Sequence, residues 1–236
     1  LSLHGEFLVT PSYINFMFWW DGAQRQHSHF ARMASSTFDM AKLARVGELV
    51  DQIESGALTV AEGATRLKSI GSQSPIYGRW LVALGYVLSG AGFAVILSAS
   101  WGDVFLSGAL SLAVYAVVLL AGRSRWMAHT LELSAAFVTS VLANTAAMFI
   151  PGSDAFIVTL CALIVLIPGL ALTLGLAELT AKHVISGMGR FIGGGMITLK
   201  LFIGAAIGGV LVNALSAVPA AVTPPGIPAV WTWVFV

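Results

Sequence analysis

Five apolar runs, each close to the length that crosses a bilayer, decide what this chain can fold into. They cover about residues 79–98, 104–121, 129–150, 155–176 and 187–212. A helix rises 1.5 Å per residue, so ~20 residues span the ~30 Å hydrocarbon core. Lipid offers no partner to a bare amide, so runs of this kind must be helical. Composition agrees: 57% of the 236 residues are hydrophobic and 10% are charged, against about 25% charged in soluble domains. The pattern predicts a mainly α, integral membrane fold in a lipid bilayer. Five transmembrane helices follow a small α+β domain. A net charge of +1 without a basic tract argues against nucleic acid as a partner. The single cysteine, Cys161, excludes an intrachain disulfide.

Charge is placed unevenly. Residues 1–79 hold fourteen of the twenty-three Asp, Glu, Lys and Arg residues, seven of each sign, and the other 157 hold nine. The division expected is a domain of residues 1–75 and a transmembrane domain of 76–236, joined by Ser72-Gln73-Ser74-Pro75. In the front domain Gly5–Thr10 and Tyr13–Trp20 read as strands around a Pro11-Ser12 turn, with a third strand in Arg25–Met33. Phe38, Leu43, Val46, Val50 and Ile53 recur at helical spacing, and Gly56 stops that helix. Thr59-Val60-Ala61-Glu62 is a capping box that opens a second helix running to about Ile70. The first residues lack a start Met and a signal peptide, and Ala229–Val236 resembles the opening turns of another apolar segment. The sequence is therefore expected to be trimmed at the front and at the back.

Lysine and arginine mark one side of the membrane. Arg79 precedes the first run, Arg123 and Arg125 lie in the second loop, and Lys182, His183 and Arg190 lie in the fourth. Loops Ser100–Asp103 and Pro151–Asp154, and the tail, carry no Lys or Arg. The alternation predicts a cytoplasmic N-terminal domain and an external C-terminus.

Lys200 lies deep in the last run. A charge at that depth costs about 3 kcal/mol or more and persists only where something repays it. It faces a polar pathway or a partner group in the bundle. Asn144 and Thr145, with Tyr115 and Ser89 nearby, are expected at a similar depth, forming a mid-membrane belt; the same residue types also serve as glue between helices. Ile167-Pro168-Gly169 breaks the fourth run, either exposing carbonyls for a solute or simply kinking the helix. Glu178, Lys182, Ser186 and Arg190 recur every four residues and would share one face of a continuous helix, as a gate or as an interfacial charged loop. Glu178 and Glu132 are proton-carrier candidates; Glu132 is alternatively a partner for Arg123 or Arg125. Asp103 lines an outer vestibule or belongs to a loop. Gly189/Gly193 and Gly204/Gly208 have the spacing that permits close helix approach. His27 and His29 lack a third metal ligand. No hydrolase, zinc-protease or phosphate-loop motif is present, so neither enzyme chemistry nor a cofactor is expected.

The order of several features is similar to one family. Thr10-Pro11-Ser12 after a short strand, the amphipathic helix, the Thr59–Glu62 box and Pro75 come in its sequence. So do Trp101-Gly102-Asp103, Ile167-Pro168-Gly169, Glu178 and Ser186-Gly187. The chain resembles the N-terminal half of the threonine/serine exporters over nearly its whole length. The resemblance implies proton-driven export of small polar, amino-acid-like solutes across a bacterial inner membrane. It also implies that a second membrane subunit supplies further spans in some members; a homo-oligomer is the other way to complete five spans. Asp103, Pro168, Gly169, Glu178, Ser186 and Gly187 carry over by position, whereas Lys200 rests on the bilayer argument. The alternative is a membrane scaffold or sensor whose cytoplasmic domain binds a ligand or protein.

Overall fold

The computed structural model describes residues 3–9, 13–20, 27–32, 39–73 and 77–216. Three strands open the chain: β1 (Leu3–Val9), β2 (Tyr13–Trp20) and β3 (His27–Arg32). They form an antiparallel sheet in that order. Residue period two brings Phe7, Phe16 and Phe18 to one face, where Phe7 meets the other rings edge-on at 5.6 and 5.9 Å. All three expected strands are present. The Pro11-Ser12 turn, Phe38 and most of the linker before Tyr77 lie outside the described residues, as does the tail from residue 217.

Helix α1 (Met40–Glu54) starts where the Asp39 side chain accepts from the Lys42 N–H. It ends at Gly56, whose φ of 73° lies in the left-handed region open to glycine. Helix α2 (Val60–Ser72) begins with the expected box: Thr59 N–H donates to Glu62 Oε2 at 2.9 Å, and Glu62 N–H donates to Thr59 Oγ1 at 3.4 Å. Leu49 is buried, and Gly63 lies so close to Ile53 that a side chain there would collide. Arg66 Nη1 donates to Gln52 Oε1 at 3.1 Å, and Lys42 Nζ to the Gly71 carbonyl at 3.1 Å.

The apolar runs become α3 (Arg79–Ile96), α4 (Trp101–Ala121), a short α5 (Arg125–His129), α6 (Leu131–Phe149), α7 (Ala155–Ala162), α8 (Gly169–Thr180) and α9 (Val184–Leu215). Helices α3, α4, α6 and α9 are long and apolar enough to cross a membrane; α7 with Ile164–Thr180 counts as a fifth if that broken pair is one span. Two boundaries move. Helix α4 starts at Trp101, absorbing most of the expected loop, and α9 starts at Val184, giving it 32 residues.

By internal packing the chain falls into two units: Leu1–Val82 with Gly169–Gly194, and Ala83–Pro168 with Gly195–Val236. In the second unit Val114, Ala135, Ala136, Leu163 and Leu201 form one buried cluster, and Leu110, Ala143, Val158 and Ala162 another. Lipid is as apolar as leucine, so close packing and hydrogen bonds must hold such helices together. Small residues supply the proximity: Gly90 lies against Ser107 and Ser111, and Gly108 against Val87 and Ala91. In the first unit Gly175 of α8 lies against the backbone of Gly187 and Phe191 in α9.

Candidate functional site

Helices α6 and α9 run side by side in the same direction, and glycine sets their register. A Cβ at Gly204 would run into the Leu133 carbonyl and Ala136; one at Gly208 would meet the Phe137 carbonyl and Ser140. Ser140 Oγ donates to the Ala205 carbonyl at 2.7 Å. That register brings Lys200 to the first turn of α6, where Nζ lies 3.5 Å from Glu132 Oε2. An acid in a first turn is favoured by the helix dipole. The pair is long, and its side chains remain 40% and 21% exposed. So the Lys200 amine does meet a counter-charge, and among the described residues Glu132 pairs with Lys200 and not with Arg123; the Arg125 side chain lies outside the described residues. Leu201 packs with Val114, Tyr86 and Ile167 in one cluster, and the Tyr86 and Tyr115 rings lie 5.1 Å apart.

The expected belt does not form at one level. Asn144 lies twelve residues beyond Glu132 on α6, ~18 Å along the axis. It lines a separate groove with Ser140, Thr159, Gly209 and Asn213. Its Nδ2 donates to the Ser140 carbonyl at 2.8 Å. Thr145 and Ser89 are exposed on outward faces. The depth estimate failed because Gly204 and Gly208 pack against Leu133 and Phe137 and so set Lys200 level with the first turn of α6, an offset that counting from each helix start does not show.

The break after α7 is real. A 3-10 turn, Ile164–Leu166, is followed by extended Ile167 with φ −68° and ψ 123°, then Pro168, and α8 begins at Gly169. Ile167 N–H donates to the Ile164 carbonyl at 3.2 Å, so that carbonyl is engaged. Those of Leu166 and Ile167 lie outside any α-helix. Ser111 Oγ, 2.8 Å from the Ser107 carbonyl, also reaches the Ala162 carbonyl at 3.5 Å.

Glu178, Lys182, Ser186 and Arg190 do not share a continuous helix. The chain turns back between α8 and α9: Lys182 N–H donates to the Leu179 carbonyl at 3.0 Å and His183 N–H to the Glu178 carbonyl at 2.9 Å. This is the double bond pattern of a helix-ending turn usually closed by glycine. Here Lys182 takes the left-handed position, with φ 64°. Charge pairing therefore crosses the hairpin instead of following the expected four-residue step. Arg190 Nε lies 2.9 Å from Glu178 Oε1. Glu178 Oε2 is buried and meets no hydrogen-bond donor among the described residues. A cavity of about 580 Å³ opens here, lined by Glu178, Lys182, Ser186, Arg190 and the β1 residues Phe7 and Leu8. Of the two glycine pairs, Gly204/Gly208 makes the close contact. Gly193 faces open space, and its neighbour Gly194 packs on Leu172.

Asp103 is neither in a loop nor lining a vestibule. It is 3% exposed, in the first turn of α4. Ser100 Oγ donates to Oδ2 at 2.8 Å; Ser153 Oγ at 2.5 Å and the Asp154 N–H at 3.2 Å donate to Oδ1. The carboxylate ties the start of α4 to the loop before α7. Ser100-x-x-Asp103 is a capping pattern legible in sequence; Ser153 and Asp154 as partners carry no local signal.

The sequence model of the family described as "Putative threonine/serine exporter" (ThrE) matches residues 1–212. No curated protein and no solved structure matches the chain. The family is one of transporters and not of enzymes. With its apolar helices and a match over nearly its whole length, the chain is a membrane protein that belongs to the threonine/serine exporter family.

Proposed function

We propose that the chain is a component of a proton-coupled secondary exporter of small polar solutes such as threonine and serine, working in a bacterial inner membrane. The observation that carries this reading is the ion pair of Glu132 and Lys200, 3.5 Å apart between apolar helices. In the loaded state Lys200 meets the solute's carboxylate. Glu132, with the carbonyls near Leu166 and Ile167 before Pro168, meets its ammonium. A proton taken by Glu132 removes one of those charges and loosens the solute. The proton leaves again as Glu132 and Lys200 re-pair. Proton and solute then exclude one another, which is what exchanging inward protons for outward solute requires. Tyr115, beside Tyr86, and Asn144, in its own groove further along α6, would be later stations on the route.

The alternation of Lys and Arg supports a cytoplasmic domain of residues 1–75 and an external C-terminus. A second membrane subunit or a second copy would supply the remaining spans, and α9 offers it the exposed Phe202, Val210 and Asn213. Substituting Lys200→Met tests the mechanism in vesicles under an imposed pH gradient. Threonine efflux should fall about a hundredfold, the scale of losing one close charge contact, with membrane insertion intact. Unchanged efflux removes Lys200 from the mechanism.

A further inference from the structure

We propose that the cavity at the α8–α9 turn is a second solute site, a clamp for a zwitterionic amino acid. Glu178 takes the ammonium; Arg190 and Lys182 take the carboxylate. The proposal deepens the export reading and rests on it for the solute's class.

Three observations carry it. The carboxylate and guanidinium stand 2.9 Å apart, and the N and C atoms that bear a free amino acid's two charges are about 2.5 Å apart by standard bond lengths. A zwitterion can therefore lie across the pair and meet both signs at once. Next, Glu178 Oε2 is buried without a donor among the described residues. An unpartnered carboxylate oxygen is costly, and an ammonium group would satisfy it. Finally, the cavity of about 580 Å³ is lined by the polar Ser186 and Lys182 as well as by the apolar Phe7 and Leu8. That combination suits a small solute with a hydroxyl and a methyl group. With no solute bound, the two charges neutralise each other. A simple cation or anion gains little there, because it must break the pair and can satisfy only one half. The site therefore selects the zwitterion over an amine or an acid.

The test is L-threonine binding to the full chain in nanodiscs by equilibrium dialysis. Three further ligands are L-threoninamide, which lacks the carboxylate, 2,3-dihydroxybutyrate, which lacks the ammonium, and L-serine. Wild type should bind threonine and serine, and each single-charge analogue about tenfold more weakly. Glu178→Gln should weaken threonine binding by a similar factor. The exchanged pair Glu178→Arg with Arg190→Glu should hold the hairpin, read as an unchanged thermal midpoint, yet bind threonine weakly. Lys200→Met, which disables the site proposed at Glu132, should lose efflux and that share of bound threonine, and the threonine still bound is what Glu178→Gln should weaken. In the Lys200→Met background, threonine binding unaffected by Glu178→Gln, or analogues that bind as well as threonine, overturns the clamp. If efflux is then still lost in Lys200→Met, the export reading survives alone. Wild type that neither binds nor exports threonine or serine overturns both.

Discussion

Two carboxylates in the same packing unit show how differently an acid can be held. Asp103 is buried and accepts from Ser100, Ser153 and the Asp154 backbone, with every contact at 3.2 Å or less. Glu132 is half-buried and has one charged partner at 3.5 Å, itself 40% exposed. Asp103 already accepts three hydrogen bonds from fixed neighbours. Glu132 has a single long contact, which leaves it the freer of the two for the transport role proposed above. Burial of a charge is therefore a poor guide to function unless its hydrogen bonds are counted as well.

The largest effect expected from breaking this contrast is on stability. Asp103→Ala leaves two hydroxyls and a backbone N–H without their acceptor, so it should cost ~3 kcal/mol, read as a lowered thermal midpoint in detergent. An unchanged midpoint would mean that the Asp103 network bears no stress and that the two acids are alike. Lys200→Met, by contrast, should act on efflux and leave the midpoint nearly where it was. Gly204→Leu sharpens the comparison from the side of packing. The new side chain must push α9 off the Leu133 carbonyl, costing about 1–3 kcal/mol by overpacking and parting Lys200 from Glu132. Efflux should then fall although both charges are present; full efflux would show that their separation is immaterial.

The smallest effect concerns an exposed counterpart of Asp103. Glu62 also sits three residues after its capping partner. The Thr59 backbone N–H, then the Thr59 hydroxyl, hold its carboxyl below the usual range, with Arg66 adding to the same end. A depressed folded value means that the stabilisation is present above the unfolded carboxylate value of about 4.3 and is lost as pH falls through the lower folded one. Acid titration of the α1–α2 helical signal should show this loss in wild type and a weaker one in Thr59→Ala. Identical titrations would assign the acid sensitivity elsewhere.

Much of this was legible in the sequence because it is local. The four long apolar helices, with a fifth span if the broken pair counts as one, follow from apolar run length, the Thr59–Glu62 box from spacing, and the paired state of Lys200 from the cost of a lone charge in lipid. What was not legible depends on contacts between distant segments. The turn at Lys182 has no glycine or proline to announce it, so the stripe from Glu178 to Arg190 looked continuous. Asp103 meets Ser153 across fifty positions. The offset between α6 and α9 is set by Gly204 and Gly208 against Leu133 and Phe137, and no count along a single helix reveals it.

Helix α9 is 32 residues long, or ~48 Å at 1.5 Å per residue. The hydrocarbon layer is about 30 Å thick, and an average tilt of ~20° shortens the helix's projection by only a few ångströms. Some ten residues thus lie among headgroups or in water. Membrane thickness then decides how far the turns around Arg190, or those around Asn213, are drawn into oil, so a thicker or thinner bilayer acts on the two ends of this one helix.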